Sequence, residues 1–317
     1  MGNGKFIISL DFELHWGSVE KEKLEAKKKY FDTARESIPI VLNLFEKYKI
    51  HATWAIVGFL FAKNKEQLIS YIPKNKPTYK NDKLSYYKLI ENNDIGLNEK
   101  QDPYHYAPSL ISQIINTPNQ EVATHTFSHY YCNEKGQNRN QFDSDLKAAQ
   151  RIAKENFNIE LKSLVFPRNQ FNSEYVAIAK NIGIKVVRSN PNVWFWNNNF
   201  KLQSIARAVD TLIPISSSLT FKGVTTNKND VLLLPSSRFL RPYMESEKGI
   251  QGMKFMRIKN EMLIAAKNNR NYHLWWHPHN FGYSMKENLI YLEKILSYYE
   301  KLNIKYGFTS KSMIEMY

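Results

Sequence analysis

Three things are scarce in this sequence: cysteine, uninterrupted apolar stretches and acidic charge. With Cys132 as the single cysteine of 317 residues, an internal disulfide and a cysteine-rich zinc module are both excluded. No run approaches the roughly 20 apolar residues that a membrane-spanning helix needs. The opening stretch, MGNGKFIISLDFELHWG, meets Asp11 and Glu13 before an uncharged core long enough for a signal peptide has built up. Phe6 also stands where a myristoylation signal requires Ser or Thr. A cytoplasmic location is therefore expected. Acidic residues number 30 against 44 basic ones, a net charge of +14. Such an excess favours anionic partners. The lysines are scattered, however, as in KEKLEAKKK (21–29) and KNKEQ (63–67), so no specific nucleic-acid partner is expected. Peripheral contact with anionic lipid or a lipid-linked phosphate is compatible with this charge.

What the chain has is a core and many rings. Hydrophobic residues make up 43% and aromatic ones 14%. The first figure supports a sizeable folded core. The second suits both that core and a cleft for flat ligands such as sugar rings. Short apolar runs alternate with segments of helical period. KFIISLD (5–11), HATWAIV (51–57), EVATH (121–125), SLVF (163–166), IKVVR (184–188), DVLLLP (230–235) and YHLWWH (272–277) read as strands. Between them, helices are predicted over about 33–49, near 59–71, after a cap at Asp143, from Ser173 to a stop at Gly183, and over 286–302. About seven strand–helix units point to an α/β barrel with parallel strands inside, whose reactive residues sit at the strands' C-terminal ends. Residues 1–317 read as one domain. A polar, aperiodic insertion at about 72–106 either covers the cleft or pads the surface.

Several of these strand ends carry chemistry. The first runs into Asp11-Phe12-Glu13, with His15 and Trp16 beyond. Taken alone, such charges simply mark an exit into solvent. The third runs into His125-Thr126-Phe127-Ser128-His129. Two histidines four apart can face one point, and neutral imidazoles are common ligands for zinc-like metals. Glu13 or Asp11 would add a carboxylate, completing a two-histidine, one-carboxylate site with an open position. The segment lacks the internal glutamate of His-Glu-x-x-His proteases, so a general base must come from elsewhere. His277 ends the last strand, with His279 two residues on, and suits a general acid. Arg168, in LVFPRNQF (164–171), is placed to orient Asp11 by a bidentate contact.

Together these motifs resemble the polysaccharide deacetylase family, carbohydrate esterase family four, with nodulation-factor deacetylase homology. EVATHTFSH is similar to its His-Ser/Thr-x-x-His motif, HATWAIVG to its second strand, SLDFE to its first motif, and the stretch around His277 to its last. The likeness runs from about residue 5 to about residue 282. It implies a distorted (β/α)7 barrel and a metal-dependent hydrolase removing an acetyl group from an N-acetylated sugar or polysaccharide precursor. The implied cofactor is a divalent metal, Zn²⁺ or else Co²⁺, Ni²⁺ or Mn²⁺. The implied roles are Asp11 as base, His125 and His129 as metal ligands and His277 as acid. Two departures stand out. Phe12 occupies the place of the second of two adjacent aspartates, which gives the metal to Glu13. Pro167-Arg168-Asn169 replaces Arg-x-Pro. FPRNQ and HPHNFG resemble a subgroup from bacterial surface-polysaccharide biosynthesis, whose substrates would be nucleotide-linked or lipid-linked. Trp16, Arg188 and His279 are candidates for substrate contact. A glycosidase would use paired carboxylates without metal, and the histidines argue against it. A deformylase acting on a formamido sugar would use the same site. A non-catalytic polyanion-binding protein is the rival of another class, which stoichiometric metal would exclude.

Overall fold

The computed structural model describes residues 3–191, 193–197, 203–212, 215–216, 218–226 and 230–317. At its centre is one sheet of ten strands: β1 Lys5–Phe12, β2 Ala52–Ile56, β3 Gln120–Thr124, β4 Ser163–Leu164, β5 Val186–Ser189, β6 Thr225–Thr226, β7 Leu232–Pro235, β8 Arg238–Phe239, β9 Tyr272–Trp276 and β10 Thr309–Lys311. Their order is β6-β7-β5-β4-β3-β2-β1-β9-β8, with β10 added to β1. Every pairing is parallel except β6 with β7.

The sheet closes through a single segment. β7 pairs with β5, and β8, three residues later, pairs with β9. Between them the Ser236 amide donates to Ser189 O and the Ser237 amide to His273 O, so the chain changes neighbours in one step. Counting β7 and β8 as one position gives seven around the ring, the distorted (β/α)7 barrel expected from sequence. Both faces of the central strands are covered, which explains their near-continuous apolar runs; β2 and β9 are buried throughout.

The helices follow the apolar stripe rather than the predicted boundaries. The first spans Lys28–Lys47, starting earlier than expected because Phe31 and Ala34 extend the stripe of Ile38, Val41, Leu42 and Phe45. The helix Arg139–Phe157 begins before Asp143. Asn138 caps it, accepting from the Gln141 amide while the Gln141 side chain reaches back to the Asn138 amide. The helix Ser173–Asn181 starts at Ser173 as expected, with Asn172 as its cap accepting from the Glu174 amide. The helices Pro108–Asn116 and Gln251–Lys267 were not anticipated. The segment 72–106 is not surface padding. It folds into a short turn and the helix Tyr87–Glu91, and it buries Tyr79, Leu84, Tyr86, Tyr87, Ile90, Ile95 and Tyr106. Its tyrosines supply apolar area that its polar composition hides.

Candidate active site at the C-terminal rim of the barrel

Asp11 is the last but one residue of β1, and Glu13 follows the strand with a turned backbone (φ −122°, ψ −33°). His125 directly follows β3, and His277 directly follows β9. All four therefore converge on one rim of the barrel. Glu13 Oε1 lies 2.9 Å from His125 Nε2 and 3.1 Å from His129 Nε2. His277 Nε2 stands 3.6 Å from the same oxygen and 3.9 Å from Asp11 Oδ2.

The His125–His129 loop is tight rather than helical. Thr126 and His129 take left-handed backbone conformations, with φ of 64° and 57°. Three donors fasten the loop to the Arg139–Phe157 helix: Asp145 accepts from the Phe127 amide (2.7 Å), the Ser128 amide (3.1 Å) and Ser128 Oγ (2.5 Å). Burial pushes the Asp145 carboxyl up to about 6 against these three bonds. The loop also presses on Gly58, where a Cβ would come within 2.6 Å of Phe127 Cα, so only glycine admits this approach. Gly17 plays the same part for Glu13, because a Cβ there would sit 1.8 Å from Glu13 Oε2.

Whether Glu13, His125 and His129 fit a cation is decided by their protons. His125 Nδ1 is 2.8 Å from the Val165 carbonyl, which can only accept, so Nδ1 carries the hydrogen. In the neutral ring Nε2 then presents a lone pair to a carboxylate oxygen. At His129 burial favours the neutral form, lowering its pKa against the pull of Glu13. Two lone pairs and a carboxylate oxygen facing one another repel unless a cation lies between them. The three donor atoms lie within 4.8 Å of one another. A tetrahedral site with bonds of about 2.0–2.1 Å sets its donors about 3.3–3.4 Å apart. The residues fit such an ion. A second set, Asp11, Glu13 and His277, also satisfies the distance criterion. It fits less well because Asp11 already has a cation of its own.

That cation is Arg188. Its Nη1 donates to Asp11 Oδ1 at 2.6 Å and its Nη2 to Oδ2 at 2.7 Å, with further bonds to Ser9 Oγ and Asn169 Oδ1, each 3.0 Å. The guanidinium also lies over the Trp275 ring, 4.5 Å from its centre. Burial raises the Asp11 carboxyl, but Arg188, with His125 and His277, outweighs it and leaves the pKa lowered. At Glu13 burial raises the carboxyl, and positive charge among His277, His129 and His125 would hold it well below its usual range, a charge that a cation supplies when those rings are neutral.

Three expectations are corrected. Arg168 does not reach Asp11. It pairs with Glu20 and lies over the Tyr131 ring, because Arg168 and Asn169 take left-handed backbone (φ 53° and 52°) that turns the side chain outward. Arg188, expected to touch substrate, is 4% exposed and makes the bidentate contact in its place. Trp16, also a substrate candidate, is fully buried. Its Nε1 donates to the His105 carbonyl, and its ring packs on Phe59 and His105. His279 is half-buried, stacked on His277 with ring centres 5.0 Å apart, and held neutral by burial and His277, its pKa down to about 3. Asp145, Tyr131, Tyr86, Glu20 and Gly17 were missed. Asp145 had a visible signal, an acid on the buried stripe of Phe142, Leu146 and Ala149. Gly17 had none.

A family model for polysaccharide deacetylases matches residues 29–187, half of the chain. The match contains His125 and His129, while Asp11, Glu13 and His277 lie outside it. No curated protein matches the sequence. Among solved structures, a protein assigned as a polysaccharide deacetylase in Mycobacterium smegmatis superposes with a TM-score of 0.62 at 11% identity, covering 99% of this chain and 90% of that one. One so assigned in Pseudomonas aeruginosa PAO1 gives 0.55 at 9%, covering 98% and 88%. The 4-alpha-glucanotransferase of Thermococcus litoralis gives 0.57 at 9%, covering 100% of this chain but 40% of that one. At these identities the likeness speaks for the fold alone, and the glucanotransferase shows that the barrel serves other carbohydrate chemistry. It is the family match across the histidine-bearing half that decides the assignment: this chain belongs to the polysaccharide deacetylase family and is by class a carbohydrate deacetylase, a hydrolase of non-peptide carbon–nitrogen bonds.

Proposed function

We propose that the protein removes the acetyl group from an N-acetylated sugar in a surface-polysaccharide precursor, nucleotide-linked or lipid-linked, using a divalent metal held by Glu13, His125 and His129. The observation that carries this reading is the meeting of two histidine Nε2 atoms on one buried carboxylate oxygen, with Asp11 and His277 beside it. When bound there, a zinc-like cation supplies Lewis acidity, polarising an amide carbonyl and acidifying water. Asp11 takes the proton of the attacking water, and Arg188 keeps it ionised and aimed while it waits. His277, a quarter exposed at the mouth of the site, delivers a proton to the departing sugar amine, without which the amide nitrogen leaves poorly. Arg168 acts on the ligand side rather than on the base. His279 and the exposed Tyr283 line the rim beyond His277, where a sugar ring has access.

No helix among the described residues is long and apolar enough to cross a membrane. A cytoplasmic site of action accords with the lone, buried Cys132. Acetate release from nucleotide-linked and lipid-linked N-acetyl sugars, before and after chelation, tests the reading. Chelation abolishes release and added Zn²⁺ or Co²⁺ restores it. Full activity in metal-stripped protein would overturn it.

A further inference from the structure

His125 and His129 differ in what holds their far nitrogen. His125 Nδ1 donates to a main-chain carbonyl, Val165 O, which no side-chain substitution removes. His129 Nδ1 lies 3.0 Å from Tyr131 Oη. Tyr131 Oη lies 2.6 Å from Tyr86 Oη, Tyr86 Oη is hydrogen-bonded to Glu20 Oε2, and Glu20 Oε1 accepts from Arg168 Nη2. The far end of this chain fixes its direction. The Glu20 carboxylate can only accept, so Tyr86 donates to it. Tyr86 has then spent its hydrogen and must accept from Tyr131. Tyr131 in turn must accept, and His129 Nδ1–H is its donor. Each phenol gives one hydrogen bond and receives one, and Nε2 of His129 is left with its lone pair facing Glu13.

Packing reinforces the bonds. The Tyr86 ring stacks on His129 with centres 5.7 Å apart and planes 11° from parallel, and Tyr131 meets it edge-on at 5.1 Å. Arg168 covers the Tyr131 ring, 4.2 Å from its centre. Tyr86 belongs to the 72–106 segment and Glu20 to the loop after β1, so two excursions from the barrel meet on one ligand.

We propose that Tyr131, Tyr86, Glu20 and Arg168 are positioning residues that lock the ring of His129 with Nε2 toward the metal position, so that the insertion, through Tyr86, sets the affinity of the site. This rests on Glu13, His125 and His129 being the metal ligands. Arg168 thereby has a function although it never touches Asp11. Partners of a ligating histidine's second nitrogen typically change metal affinity by about 10–100-fold.

The test measures Zn²⁺ dissociation constants by competition with a chromophoric chelator on the full chain, with melting curves alongside. Tyr131→Phe keeps the ring and removes only the relay; it weakens Zn²⁺ binding by about 10–100-fold. Tyr86→Phe weakens it less, since Tyr131 still accepts from His129. Glu20→Ala weakens it, and Glu20→Gln, which can still accept from Tyr86, recovers most of the loss, a rescue that a role in packing alone does not give. The visible band of the Co²⁺-loaded protein shifts in Tyr131→Phe and not in a substitution at exposed Ile304. Wild-type protein that takes up no Zn²⁺ defeats the ligand assignment itself. Wild-type protein that binds, with Tyr131→Phe and Tyr86→Phe binding equally well, overturns the relay alone.

Discussion

Asp11 and Glu13 stand two residues apart at one strand end, both buried, and their surroundings could hardly be more different. Asp11 is gripped by a permanent cation, Arg188, whose planar fork satisfies both its oxygens. Glu13 faces the lone-pair side of two imidazoles and a third ring, His277. A carboxylate matched to a fixed guanidinium is already neutralised and has no need of a metal, whereas one facing imidazole lone pairs has a charge still to be met. The difference lies in the partners rather than in the acids. On the proposed reading it divides one rim of the barrel into a half that would handle protons and a half that would hold a cation.

Separate substitutions in the two halves break the comparison most sharply. Glu13→Gln removes the charge that the histidines face, so metal content falls to near zero and acetate release with it; metal analysis of the purified variant is the check. Asp11→Asn, in the other half, keeps its metal and loses about 10²–10⁴-fold in kcat, the scale of a lost general base. If Asp11→Asn is the metal-poor variant and Glu13→Gln is not, the two halves have been exchanged.

His277 lies between the halves, and its effect should be somewhat smaller. His277→Ala retains metal and lowers kcat by about 10²-fold or more, least for substrates whose leaving amine is already acidic. A plot of rate against leaving-group pKa, steeper in the variant, checks the acid role. Loss of metal in this variant would make His277 a ligand, as its 3.6 Å approach to Glu13 Oε1 permits.

The sequence carried the barrel and the rim well because both rest on short-range patterns. Apolar runs such as HATWAIV and the residues that follow them need only the strand period to be placed. What it did not carry was partnership across the sheet. Arg168 and Arg188 both follow or end strands, and only the left-handed backbone at Arg168 and the inward register of β5 decide which one meets Asp11. Trp16 was misplaced for the same reason: a ring next to a catalytic strand reads as cleft lining, but the 72–106 segment brings His105 over it. The segment itself was visible as an insertion, but its burial was not, because its buried tyrosines have no period. Tyr86 stacks on His129, and Tyr79 meets Tyr130 and Tyr131 just beyond it.

The smallest effect sharpens the comparison most, because it should leave the metal half untouched. Arg188→Lys keeps a positive charge beside Asp11 but replaces a two-point fork with one ammonium, and it cannot also serve Ser9 and Asn169 as the fork does. Burial pushes the Asp11 carboxyl up and Arg188 is the largest influence bringing it down, so the swap raises its pKa. A base works only when ionised. Activity therefore falls as pH drops through the Asp11 pKa, and the acid limb of the kcat/KM profile moves to higher pH, by about one unit for each 1.4 kcal/mol of lost interaction. The high-pH plateau and the metal content stay close to wild type. Stability follows the same sign. The native carboxyl lies below its unfolded value, so its contribution is present above the unfolded pKa and is lost as pH falls through the native one. In Arg188→Lys that loss begins at higher pH, and melting temperatures of the two proteins diverge most on the acid side. An acid limb that stays in place, or moves down, would mean that Arg188 does not govern the ionisation of Asp11 and that the proton half of the rim is held by something else.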